Sequence, residues 1–251
     1  SENIGAKIHE CIRAIEKENP EKLSGIFGDT QWSNKDKLSD AILKDLVEHF
    51  SQHNLSNSEV KSNTMGLAYE YLIKKFADDS NKSAGEFYTP REVVKLMTMI
   101  LDPKEGDSIY DPTCGTGGML LEAYEYVTKQ GKRGETLKLY GQEKNLTTSG
   151  IARINMFLHD IEDFHILRGD TLRDPAFHED DKLQTFDCVI ANPPFSLKNW
   201  GREEWTNDPY GRNSLGVPPA SYGDYAWVEH MLKSLKDDGK MTVVLPQGVL
   251  F

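Results

Sequence analysis

A chain of 251 residues and 28.4 kDa is long enough for one large domain, or for a domain with a smaller companion. With 38% hydrophobic and 10% aromatic residues it can bury a core, which excludes a disordered chain. The net charge of −11, with acidic residues outnumbering basic ones on both sides of Gly85, excludes an obvious basic stripe for a phosphate backbone.

Residues 1 to about 85 read as helical. Ile4, Ile8, Ile12 and Ile15 recur at helical spacing and stop before Pro20; Leu38, Ile42, Leu46 and Phe50 repeat the pattern, as do Met65, Tyr69, Leu72 and Phe76. This predicts a small helical domain over 1–84 and a second domain over 85–251. At their junction, "FYTPREVVKLMTMIL" predicts a helix with Thr89 as N-cap, Pro90 at the first helical position and Glu92 completing a capping box. After Leu101 the rhythm becomes strand, turn, helix, repeated. "DSIYDP", "LKLYGQE", "HILRGD", "FDCVIAN" and "KMTVVLP" read as five strands, with "GMLLEAYEYVTK", "TTSGIARINMFLH" and "DYAWVEHMLKSLK" as helices between them. Such alternation predicts an α/β fold: a Rossmann-like parallel sheet of about five strands, covered by helices on both faces. The chain stops directly after an apolar strand, so the sheet reads as incomplete and the chain as a piece of something longer.

The chemistry clusters at predicted carboxyl ends of strands, where open α/β sheets bind ligands. In "YDPTCGTGGML", Gly115, Gly117 and Gly118 let the backbone turn tightly and approach a ligand closely, with a helix N-terminus behind them. A dinucleotide fingerprint would need a glycine where Leu120 stands, so a nicotinamide cofactor is disfavoured. Glu143 ends the second strand, where a carboxylate can accept from both hydroxyls of a ribose; otherwise it is a solvated strand end. Asp170, in "RGDTL", could accept from an adenine amino group, or could simply serve a turn or helix cap. A nucleoside is implied, with no phosphate-binding lysine following the glycines; methionine in place of phosphate would fit.

"ANPPF" is the unusual strand ending. Consecutive prolines have no N–H, so the corner offers acceptors with few competing donors. The Asn192 oxygen and a proline carbonyl can accept from a planar –NH₂, and Phe195 can stack on the ring that carries it. An aromatic amine is a poor nucleophile because its lone pair is delocalised into the ring. Acceptors out of that plane favour the tetrahedral nitrogen of the transition state without any general base. An RNA adenine and a protein glutamine amide present the same group as a DNA adenine. A non-catalytic cofactor-binding subunit is the alternative from another class.

Taken in order, "GEFYTP", "DPTCGTGG", "YGQE", "GDTL" and "ANPPF" resemble the modification (methyltransferase) subunit of type I restriction–modification systems, a family of adenine-N6 DNA methyltransferases, through nearly the whole chain. The resemblance implies S-adenosyl-L-methionine as cofactor. It would be contacted by Glu86, Phe87, Tyr88, Thr89, Pro90 and Arg91, by Asp111 and by Gly115, Thr116 and Gly117, with Glu143 on its ribose and Asp170 on its adenine. Asn192, Pro193, Pro194 and Phe195 would receive a target adenine flipped out of duplex DNA. The implied partners are duplex DNA, bound weakly by this acidic chain alone, a DNA specificity subunit, and a restriction subunit carrying nuclease and translocase functions.

The long loop after Phe195 holds Trp200, Trp205 and Tyr210; it reads either as a lid over the flipped base or as an ordered polar loop. "HEDDK" (His178 to Lys182) reads as a solvated loop. Three scattered cysteines form neither a disulfide framework nor a zinc knuckle, no histidine pair has zinc-helix spacing, and no metal is expected. No apolar run approaches the roughly 18 residues of a membrane span, and the start lacks a secretory pattern, so a cytoplasmic setting is expected.

Overall fold

In the two central strands, successive side chains face opposite sides of one sheet, and both sides are buried. The structure, a computed structural model, describes residues 3–28, 30–56, 58–60, 62–79 and 89–250. Its main sheet contains β1 (Ser108–Asp111), β2 (Lys138–Glu143), β3 (Phe164–Arg168), β6 (Phe186–Ala191) and β7 (Leu235–Val243), in the order β3-β2-β1-β6-β7. Every pairing in it is parallel. Ile109, Cys188 and Ile190 point into a core roofed by α5 (Arg91–Leu101), α6 (Gly118–Lys129) and α7 (Leu146–Leu158). Their neighbours Tyr110, Val189 and Ala191 point the other way, onto Phe177, Phe186 and Met231 of α9 (Asp224–Lys233). A strand buried on both faces has no polar alternation, which is why these segments read as short apolar runs.

Ahead of the sheet lie α1 (Ile4–Glu18), α2 (Pro20–Leu23), α3 (Asp40–Phe50) and α4 (Ser62–Asp79). They are tied to the sheet's helices by polar contacts as well as packing. Arg153 Nη1 on α7 donates to Ser24 O at 2.8 Å, and Arg91 at the start of α5 pairs with Glu70 of α4. The junction expected at 84/85 falls outside the described residues.

Three local expectations are corrected. Helix α5 starts after Pro90, and no side chain caps it; the Thr89 hydroxyl is engaged elsewhere. "HEDDK" is a small antiparallel hairpin of β4 (His178–Glu179) and β5 (Lys182–Leu183), closed through Asp180 in the left-handed region at φ 52°. An aspartate tolerates that conformation, so the acidic run makes a turn as well as a solvated surface. Strand β7 begins at Leu235, inside the segment read as helix. Between Phe186 and Cys188 its pairing jumps from Leu235 to Lys240, and Lys236 in the bulged stretch reaches Asp187 Oδ1 at 2.8 Å.

Candidate active site

The chain runs from β1 outward to β3, then returns to β6 on the other side of β1. The carboxyl ends of β1 and β6 therefore flank the point where strand order reverses, the place where such sheets leave a crevice.

On the β1 side, Cys114 N donates to Gln142 O and Gly117 N to Cys114 O, which curls the segment after Asp111 into a tight turn. Gly115 (φ 53°) and Gly117 (φ 81°) both occupy the left-handed region that other residues rarely adopt. A Cβ on Gly117 would lie 2.8 Å from Met156 Cε, so this glycine also lets α6 start against α7. A Cβ on Gly115 would meet nothing within 4 Å; the backbone there is open to a ligand. Thr116 turns its carbonyl to Asn155 Nδ2 at 3.1 Å, and Cys114 packs as a small buried residue against Gly141.

Glu143 ends β2 directly beside this turn. Its Oε2 accepts from Gly115 N at 3.1 Å and its Oε1 from Asn145 N at 2.7 Å. Each carboxylate oxygen has a second lone pair, so the group can still accept from a diol. Asp111 is buried and accepts from Thr113 N at 2.9 Å. Burial, reinforced by the charge of Glu143, pushes its carboxyl up to about 7, against the pull of the Thr113 hydrogen bonds. Two acidic groups at the mouth of a glycine turn suit a ligand with ribose hydroxyls and positive charge. They do not suit a phosphate. Asp170 is less available than expected: its Oδ2 lies 2.9 Å from Lys144 Nζ and 3.9 Å from Arg173 Nε, while its backbone carbonyl closes a turn to Arg173 and Asp174.

On the β6 side, Ala191 O accepts from Val244 N, and the chain leaves the sheet at Asn192. Asn192 is half-buried and its Nδ2 donates to Thr89 Oγ1 at 2.9 Å. Pro193 is buried, Pro194 is exposed, and Phe195 is 43% exposed. Ser196 then adopts φ 52° and donates its N–H to the buried Asp224 Oδ1 at 2.9 Å, which fixes the turn that presents Phe195. The corner thus presents an exposed aromatic ring beside a half-buried amide.

Of the segment expected to touch the cofactor, Glu86, Phe87 and Tyr88 lie outside the described residues. Pro90 precedes α5, and Arg91 pairs with Glu70. The structure brings Asp111, Gly115, Thr116, Gly117 and Glu143 together at one strand end, and Thr89 to Asn192 at the next.

The loop after Phe195 is a packed platform. Trp200 and Trp205 are 2% and 1% exposed, stacked edge to face in a cluster with Leu172, Ala226 and Trp227. Their ring N–H groups donate to Pro219 O and Glu229 Oε2. Neither indole can close over a base in this arrangement, so for Trp200 and Trp205 the ordered-loop reading holds, while the partly exposed Tyr210 packs against His178. The platform's keystone escaped the sequence. Buried Arg212 donates to Asp208, to the Thr171 and Leu172 carbonyls and to His230 Nδ1, and lies 4.1 Å over the Trp205 ring. Arginine only donates, so His230 keeps its proton on Nε2 and donates that N–H to the Tyr110 hydroxyl oxygen at 3.0 Å. Burial and Arg212 together hold His230 well below its ordinary pKa, that is, neutral. Glycine spacing and proline pairs can be read along a chain; this network joins four separate segments and leaves no local pattern.

Among the described residues no cluster of three or more His, Cys, Asp or Glu could hold a metal, and no helix is long and apolar enough to cross a membrane. Residues 60–251 match the sequence profile of a family described as N-6 DNA Methylase. The chain is 32% identical over 251 residues to the "Type I restriction enzyme HindI methylase subunit" of Haemophilus influenzae, covering 98% of this chain and 55% of that protein. It is 31% identical over 255 residues to the MjaIX methylase subunit of Methanocaldococcus jannaschii, covering 100% of this chain and 44% of that protein. Among solved structures, the type I restriction–modification methyltransferase subunit from Streptococcus thermophilus superposes with a TM-score of 0.76 at 34% identity, over 98% of this chain and 53% of that one. A modification subunit of a putative type I restriction enzyme from Vibrio vulnificus gives 0.65 at 27% identity, over 84% and 44%. The chain thus spans about half the length of the relatives it matches. With its glycine turn, its acidic strand end and its Asn-Pro-Pro-Phe corner carried on one parallel sheet, the chain belongs to the N-6 DNA methylase family.

Proposed function

We propose that this chain transfers a methyl group from S-adenosyl-L-methionine to the N6 amino group of an adenine flipped out of duplex DNA, as the modification subunit of a type I restriction–modification system. The observation that carries the reading is the adjacency of two strand ends. The Asn192–Phe195 corner leaves β6 right beside the Gly115–Gly117 turn of its hydrogen-bonded neighbour β1.

The residues present fit this cofactor. Gly115 leaves its backbone open, Glu143 offers carboxylate oxygens to the ribose, and the buried Asp111 carboxyl, raised to about 7, would ionise against the cofactor's positive charge. When bound, S-adenosylmethionine supplies an electrophilic methyl and is left as a neutral thioether. Asn192 Oδ1 and a proline carbonyl draw the N6 hydrogens out of the ring plane, which localises the nitrogen lone pair for attack. N6 gains the methyl, and one of its protons leaves to solvent. Phe195, nearly half exposed, provides the apolar face on which the extruded base stacks, offsetting part of the cost of unstacking it from the duplex. Sequence choice and most of the duplex affinity are assigned to a specificity subunit, since the chain's own charge is −11. A restriction subunit completes the assembly.

The test is incubation with methyl-labelled cofactor and, separately, duplex DNA, RNA and protein, with and without a specificity subunit. Label in DNA is expected. Label in RNA or in protein glutamine would reassign the substrate, and binding of NAD in preference to S-adenosylmethionine would reassign the enzyme class.

A further inference from the structure

We propose that Thr89 is a positioning residue for Asn192, anchoring its side-chain amide through the nitrogen so that the oxygen is left for the substrate; this rests on reading the corner as the transfer site. A carboxamide has one accepting and one donating end, and a half-turn about its last torsion exchanges them. Substrate –NH₂ needs the oxygen. If the nitrogen faced it, two donors would meet and the acceptor that draws the N6 hydrogens would be lost. Asn192 Nδ2 donates to Thr89 Oγ1 at 2.9 Å, which commits the nitrogen to the protein and leaves Oδ1 on the opposite side of the planar amide.

Three observations single out this contact. The two residues are 103 positions apart, so no local turn brings them together. The sequence would have Thr89 cap α5, yet that helix has no side-chain cap, and the hydroxyl is engaged with Asn192 instead. Among the described residues the Asn192 side chain has no other hydrogen-bond partner that could fix its orientation. The prolines on its C-terminal side cannot supply an N–H, so nothing within the corner itself distinguishes the two ends of the amide.

The test uses the complete modification complex, with Thr89→Val (same shape, no hydroxyl) and Thr89→Ser (hydroxyl kept). Losing one hydrogen bond of this kind is expected to lower turnover at saturating cofactor about tenfold in Thr89→Val, beyond any change in cofactor affinity, with Thr89→Ser restoring turnover. A second readout needs no turnover: the Asn192 side-chain NH₂ resonances in asparagine-labelled protein, assigned by their loss in Asn192→Ala. Their chemical shift and hydrogen exchange should change in Thr89→Val and stay near wild type in Thr89→Ser. Unchanged NH₂ resonances in Thr89→Val would overturn the proposal, and so would a loss confined to cofactor affinity. If the resonances respond but the wild type methylates no adenine, the contact stands and the reading of the corner as the transfer site falls.

Discussion

Asp111 is the side chain whose ionisation bears most directly on the proposed cofactor. It is buried, and its carboxyl is pushed up to about 7 by desolvation first and then by Glu143. A raised acid binds its proton more tightly in the folded state than in the unfolded chain. Its contribution to stability is thus greatest below about pH 4 and is lost as pH rises toward 7. A cationic ligand favours the ionised form and so expels that proton. Affinity for S-adenosylmethionine is therefore expected to rise with pH and level off above about 7, as read by calorimetry. Asp111→Asn should weaken binding at pH 8 by about tenfold and flatten the profile. A wild-type affinity independent of pH between 5.5 and 8 would count against Asp111 facing the cofactor. At this scale the sequence was legible wherever chemistry follows from residue type at a strand end: Gly115, Glu143, Asn192. It misled at Thr89, because a Thr-Pro-x-Glu start satisfies the capping pattern whether or not the hydroxyl is needed 103 residues away.

The elements beyond Phe195 explain how an exposed ring stays in one place. Asp224, at the start of α9, holds Ser196, and the Arg212 network ties the 197–223 segment to the turn after β3 and to β1 through His230 and Tyr110. Arg212 and Asp208 have side chains only 3% and 1% exposed, at 2.6 Å. Removing one member of such a pair strands a buried charge. Arg212→Ala is expected to cost about 3–5 kcal/mol in urea unfolding; a loss below about 1 kcal/mol would show that the pair is not the keystone of the platform. The elements themselves were readable, because five apolar runs alternating with helical ones admit few topologies. What could not be read was the role of the aromatic loop. Trp200 and Trp205 look available in a polar, Gly-rich and Pro-rich segment, and only the cluster with Leu172 and Trp227 reveals that they are core.

Across the whole molecule, the balance of charge bears on partners. A chain with a net charge of −11 is poorly equipped to hold a polyanion by itself. Duplex binding by this chain alone is expected to be weak, without sequence preference, and to tighten strongly on adding a specificity subunit. Sequence-specific binding by the chain alone, at nanomolar affinity and physiological salt, would contradict that division of labour. The parallel order β3-β2-β1-β6-β7 places the reversal of strand order at the two chemically loaded strand ends, so the fold and the proposed chemistry meet at one crevice.

That meeting is tested most directly by nucleoside analysis of methylated duplex DNA, using the wild type and Asn192→Ala in complex with a specificity subunit. N6-methyladenine is expected from the wild type. At least about a hundredfold less is expected from Asn192→Ala, with S-adenosylmethionine affinity preserved. Methylation at a different atom, or undiminished N6-methyladenine from Asn192→Ala, would contradict it.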